Sequence, residues 1–263
     1  MLEEADATTE EVRAIFKTTR IINGHSIENT PARILDVKIS HRFGFIKNGI
    51  YDLFGLDGAT IRIGADYGVS PTLSIGFGRS TLEKVYDGYI KYKILTQKSG
   101  ATSFPASISY VGTAAIRSLR IEDPNASDLF SSRLFYTHQL LVARKFSESF
   151  SLQIMPTFVH RNLVETNDER NDVFALGIGG RQKLSKRVSI NFEYFYVLPD
   201  YLAEKYRNSL SFGFDIETGG HVFQLHFTNS TAMIEKGFVT ETVGDWGDGG
   251  IHFGFNISRV FSL

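Results

Sequence analysis

The sequence predicts an all-β chain: a closed antiparallel transmembrane β-barrel of about twelve strands, preceded by a short N-terminal periplasmic arm. Three observations carry this. Apolar and polar residues alternate with a period of two from residue 33 to the end. The connectors between alternating segments tend to be long and short in turn. The apolar phase is rich in Phe and Tyr, whereas the opposite phase carries small residues and charges. Composition agrees, with 24 Gly, 22 Phe and 11 Tyr beside a single Trp. Many glycines among many aromatics suit β-structure with bends and close backbone approaches.

Residues 1–32 stand apart. Met1 to Asp6 is acidic and has no apolar signal region, which fits a mature chain with Met1 added. Thr8 to Phe16 has a capping-box look that predicts the start of a short helix. Asn23-Gly24 and Thr30-Pro31 break any regular element. The segment therefore reads as an arm outside the membrane, and residues 33–263 as the barrel.

The strands follow in order. Leu35, Val37, Ile39 and Phe43 alternate with Asp36, Lys38, Ser40 and Arg42. Ile61, Ile63, Ala65 and Tyr67 alternate with Arg62, Gly64, Asp66 and Gly68. Further strands are read around 73–78, 86–94, 106–117 and 132–145, the last with a less clean pattern. The pattern returns around 150–158, 174–183, 188–196, 210–217, 223–228 and 251–258. The number is even. Long connectors at 45–58, 118–131, 160–171, 199–207 and 229–249 face short ones at 70–71, 145–148, 185–186 and 218–220, though the rule blurs around 80–84 and 97–103. Long loops on one side and tight turns on the other are the signature of an outer-membrane barrel; a soluble sandwich has no reason to segregate them. No stretch reaches the roughly 18 apolar residues of a helical span, and a closed barrel crosses lipid by pairing every backbone group. This arrangement predicts periplasmic termini, extracellular long loops and outer-membrane lipid as the surroundings.

Several stretches resemble a known family. They are Ser40-His41-Arg42-Phe43-Gly44, Phe54-Gly55-Leu56-Asp57, Ile61-Arg62-Ile63-Gly64, the run from Phe214 to Leu225, and Gly254 to Arg259. In these the chain is similar to an uncharacterised β-barrel family of Bacteroidota, outer-membrane proteins of unknown function. The resemblance implies the barrel and its membrane, and brings no activity or catalytic residues.

Function is less legible. Lys plus Arg is 28 against 29 Asp plus Glu, a net charge of −1, which offers no bulk attraction to nucleic acid. There is no cysteine, so disulfides, thiolate metal sites and a cysteine nucleophile are excluded. Charges are costly on a lipid face, about 2–4 kcal/mol for Arg or Lys at the midplane, so the charged phase faces the lumen. Lys38, Arg62, Asp66, Lys91, Arg133, Glu193 and Asp215 are the residues expected near a constriction. Two readings follow: a polar pore for small polar or anionic solutes, favoured by a slight basic excess, or an internal ion-pair network that braces a non-transporting barrel. The second would make the protein a scaffold or subunit docking other envelope proteins through the arm or outer loops.

Other motifs carry less. The acidic stretch from Glu165 to Asp172 lacks the spacing of a calcium loop. His226 and His252 share the inward phase on adjacent strands but make an incomplete metal site. Gly177 to Gly180 lies within a strand and suggests bending rather than nucleotide binding. The last long loop, with Trp246, would bind a ligand or fold into the barrel mouth, with a simple packed loop as the plainer reading. A Ser/His/Asn site like that of barrel phospholipases has no partners in matching phase, His41 and His138 facing outward. No catalytic residue, metal or cofactor is expected.

Overall fold

The computed structural model describes residues 8–120, 129–219 and 221–263. Its main body is a closed barrel of twelve strands: β2 (Ile34–Phe45), β3 (Ala59–Gly68), β4 (Leu73–Ser80), β5 (Val85–Leu95), β7 (Ser107–Arg117), β8 (Leu134–Lys145), β9 (Phe150–Arg161), β10 (Asp172–Lys183), β11 (Val188–Val197), β12 (Ser209–Thr218), β13 (His221–Thr228) and β14 (His252–Ser262). A separate two-stranded sheet joins β1 (Thr9–Glu11) to β6 (Lys98–Gly100). The barrel closes where β14 meets β2, with Ile257 opposite Ile39. Every strand pairing in the barrel is antiparallel and the ring is closed by β14 on β2, so no edge remains open to lipid.

The alternation holds strand by strand. Ile39, Ile63, Phe77, Ile90 and Phe214 lie exposed on the outside, while Lys38, Arg62, Asp66, Lys91 and Asp215 are buried inside. Aromatic rings pair along the outer face, as in Phe43 with Phe253 and Phe158 with Phe174. This is the cross-strand packing that a lipid-facing belt requires.

The arm departs from expectation twice. Its start forms no helix: Thr9–Glu11 is strand β1, and the Val12 amide continues the pairing by donating to the Gln97 carbonyl at 2.8 Å. More consequentially, the arm is not outside the barrel. Ile15, Phe16, Thr19 to Ser26, Ile27 and Thr30 are buried, and their partners are inward residues of the barrel wall. The segment enters at the end that carries the termini and the short turns, reaches into the lumen and returns to begin β2. The physical reason is its content of Ile15, Phe16, Ile21, Ile22 and Ile27, which water would leave unpaired and which an inner wall of matching character can bury. Residues 1–6, read as the acidic start of the arm, lie outside the described residues.

Candidate functional site: the occupied lumen

The inserted segment is a hairpin. Arg20 bridges His25, the Ser26 amide donates to the Thr19 carbonyl at 3.0 Å, and the Ile21-Ile22-Asn23-Gly24 turn closes with the Gly24 carbonyl accepting from the Ile21 amide at 2.9 Å. Asn followed by Gly between apolar residues is a turn signal, so what read as a break is the tip of a hairpin. At Gly24 the approach to the wall is close: a β-carbon there would lie 3.0 Å from the Phe195 ring and 3.2 Å from a Glu193 carboxylate oxygen.

The wall holds this hairpin chiefly by its backbone. Glu193 of β11 accepts from the successive amides of Ile22, Asn23 and Gly24 at 3.2, 3.1 and 2.9 Å, a carboxylate seated in a nest of N–H groups. Lys91 of β5 does the converse, its ammonium donating to the carbonyls of Thr19, Ser26 and Glu28 at 3.3, 3.0 and 2.7 Å. Gln153 donates to the His25 carbonyl at 2.7 Å, Gln224 to that of Ile21 at 3.0 Å and Asn256 to that of Ile22 at 3.0 Å. Nearer the turn end, Arg181 reaches the carbonyls of Ala14 and Ile15. Side-chain contacts are fewer: Arg42 donates to the Asn23 side-chain oxygen at 2.8 Å, and the Thr19 hydroxyl to Asp66 at 3.2 Å.

The inner wall is two-sided. From β5 through β11 it is apolar in large part, with Tyr89, Val111, Leu141, Met155, Val159 and Phe195 packed in one cluster with the hairpin's isoleucines. From β12 round to β4 it is polar, and its charges pair with one another and with Asp87 on the adjoining β5. Lys38 bridges Asp66 and lies 2.7 Å from Asp36, and Arg62 grips Asp87 with two nitrogens. Asp215 accepts from Gln224 at 2.9 Å.

The mouth on the long-loop side is closed by the loop 229–251. Its helix α1 (Glu235–Thr240) is wholly buried, with Phe238 against Phe195 at a ring separation of 5.0 Å. The two inserted pieces meet at the Arg20–Glu235 ion pair at 2.6 Å, with the His25 ring 3.5 Å from the same carboxylate oxygen. Lys236 ties the helix to the rim through Glu83 at 3.0 Å and pairs with the loop's own Glu241 at 2.7 Å. Beside it Arg161 binds Glu169 at 2.8 Å, and Lys205 reaches the same carboxylate at 2.9 Å. Burial pushes the Glu169 carboxyl up, but the Lys205 hydrogen bond and the Arg161 charge outweigh it and hold the group below the ordinary glutamate range.

Of the seven residues expected near a constriction, six lie in the lumen, and the structure gives them different work. Lys91 and Glu193 grip the hairpin backbone, Asp66 takes Thr19, and Lys38, Arg62 and Asp215 pair within the wall. Arg133 is elsewhere: it ends a short helical turn at the rim, donating to the carbonyls of Arg117 and Leu119. Its inward phase could not be extended past the start of β8, where the strand gives way to that turn.

His226 is buried between Gly213 and Gly254, whereas His252 donates to the Phe43 carbonyl at 2.7 Å and meets the Thr231 hydroxyl at 2.8 Å, so the pair does not converge. Among the described residues no three metal-ligating side chains come together. Gly177 and Gly179 make room for Phe195 and Ile21 in the filled lumen, a tighter reason than strand bending. Trp246 packs edge-on against Phe212, and its indole donates to the Leu210 carbonyl at 3.1 Å. Glu169, in the acidic loop, is turned inward to Arg161 and Lys205.

The family described as a membrane bound beta barrel domain, DUF5777, matches residues 16–261. The chain belongs to this family. The DUF5777 match begins inside the hairpin, at Phe16, so the family's domain takes in most of the inserted segment as well as the barrel. Among curated proteins none matches the sequence. Solved structures similar to this DUF5777 chain include the NanC porin, with a TM-score of 0.53 at 10% identity, covering 87% of this chain and 100% of that one. The KdgM porin gives 0.50 at 9% identity, over 88% and 99%. At such identity the likeness is one of fold: a closed membrane barrel of the outer-membrane, porin-like kind.

Proposed function

We propose that this protein is a bacterial outer-membrane conduit for small polar solutes whose resting state is closed by its own N-terminal hairpin. The termini and short turns face the periplasm and the long loops face outward. The observation that carries the reading is the manner of closure. Glu193 and Lys91 hold the hairpin by non-covalent contacts to its backbone, and the Arg20–Glu235 ion pair joins it to the outer loop. A barrel that needed only bracing has its charges paired across the wall already, as Lys38 with Asp66 and Arg62 with Asp87. That pairing also removes the argument for anions over other polar solutes. A scaffold docking partners through the arm is less well supported, because residues 15–27 are enclosed in the lumen.

Conductance in planar bilayers tests the reading. The full chain is expected to be closed with rare openings, and the chain lacking residues 1–32 to conduct steadily. A silent truncated barrel that is shown to be folded would overturn the conduit. Steady conductance from the full chain would overturn closure by the hairpin.

A further inference from the structure

We propose that the lumen is a binding site for a polypeptide hairpin, in which the chain's own hairpin is a resident stand-in for an apolar, turn-forming segment of another envelope protein. The proposal rests on the conduit reading, since the resident must yield its place. Its basis is what the wall recognises. Glu193 takes three consecutive amides, Lys91 takes three carbonyls, and Gln153, Gln224, Asn256 and Arg181 each take at least one more carbonyl. Peptide N–H and C=O groups are common to all polypeptides, so a wall that grips them asks for a tight turn at its tip more than for particular polar side chains.

It also asks for apolar side chains on one side. Ile15, Phe16, Ile21, Ile22 and Ile27 share a buried cluster with Val111, Leu141, Met155, Val159 and Phe195. A sugar or a simple ion has no use for that aliphatic surface, and a lipid tail has no donors for Glu193. A peptide that turns as the resident does and carries recurrent Ile, Leu or Phe satisfies both walls at once. Lys17, Thr19, Arg20 and Asn23 add side-chain bonds to Glu217, Asp66, Glu235, and Arg42 with Ser211 and Thr228, and these distinguish the resident from a visitor. The resident's tether gives it an effective concentration on the order of millimolar, which a visitor must meet or which loss of the Arg20–Glu235 tie must lower.

The test uses the full chain and its Arg20→Ala form in detergent or bilayers. Amide hydrogen exchange at Ile22, Asn23 and Gly24 reports hairpin docking. Three synthetic peptides are titrated: a copy of residues 12–30, one keeping its apolar positions with all polar residues exchanged, and one with the apolar positions changed to Ser. A neutral oligosaccharide is the fourth probe. The first two peptides should speed exchange severalfold, more in Arg20→Ala, and should block single-channel currents of that variant. The serine peptide and the sugar should do neither. Response to the copy alone would mean a site built for its own hairpin, and would overturn the proposal; so would a response to the sugar or the serine peptide. If no probe acts while Arg20→Ala conducts, the peptide reading fails and the conduit stands. If Arg20→Ala and the truncated barrel are also silent, both fail.

Discussion

Glu193 and Lys91 each gather three of the hairpin's backbone contacts in a single side chain. Glu193 is buried, its two oxygens serve three amides, and among the described residues no basic side chain bonds it directly. Hydrogen bonds to a charged group are worth about 1.5–3 kcal/mol, so Glu193→Gln should weaken docking by about that amount. The measurement is exchange at Ile22 to Gly24, which should quicken while the exchange of β2 to β5 amides stays unchanged. Equal protection in the variant would mean that the apolar wall alone holds the hairpin. Gly24 gives a steric counterpart. Valine there would press on the Phe195 ring and on Glu193, so Gly24→Val should loosen the tip, and Phe195→Ala in the same chain should relieve part of the effect.

Between elements, the hairpin and helix α1 block the lumen from opposite ends and share the Arg20–Glu235 bond. Removing one partner of a buried pair strands the other and typically costs about 3–5 kcal/mol, whereas replacing both with apolar residues is often neutral. Arg20→Met and Glu235→Leu should therefore each lower the denaturation midpoint more than the double variant does. If the two effects simply add, the elements are not coupled through this bond. The loop 162–171 has a different dependence, on pH. Glu169 is held below the usual glutamate range by Lys205 and Arg161, so its ionised form stabilises the rim at neutral pH. That contribution is present above the unfolded glutamate pKa and is lost as pH falls through the depressed value. Proteolysis within 162–171 should rise at acid pH in the native chain, and much less so in Glu169→Gln, which has already lost the charge.

For the whole molecule, the barrel was legible because lipid enforces it. Ile39, Ile63 and Phe77 face hydrocarbon and Lys38, Arg62 and Asp66 cannot, so the phase of every strand could be read from alternation. The contents of the lumen were harder to read, because nothing local separates an inward Leu141 or Phe195 from an imperfect pattern. The signal was present in two places: strands apolar in both phases, such as 132–145, and an arm carrying five large apolar residues around Asn23-Gly24. Only their complementarity, a long-range fact, joins them. This division of the barrel's apolar residues between lipid and hairpin yields a last prediction. Ile63 is 59% exposed to what surrounds the barrel, whereas Ile21 is 1% exposed in the lumen. Acyl chains flow into the space left by Ile63→Ala, so little cohesion is lost. No such fluid reaches Ile21, packed beside Gly179, and truncation there leaves a cavity, at about 2–5 kcal/mol for Ile→Ala. Thermal unfolding in one detergent should thus show Ile21→Ala well below Ile63→Ala. Equal midpoints would mean that the hairpin's apolar face adds nothing to the stability of the barrel that encloses it.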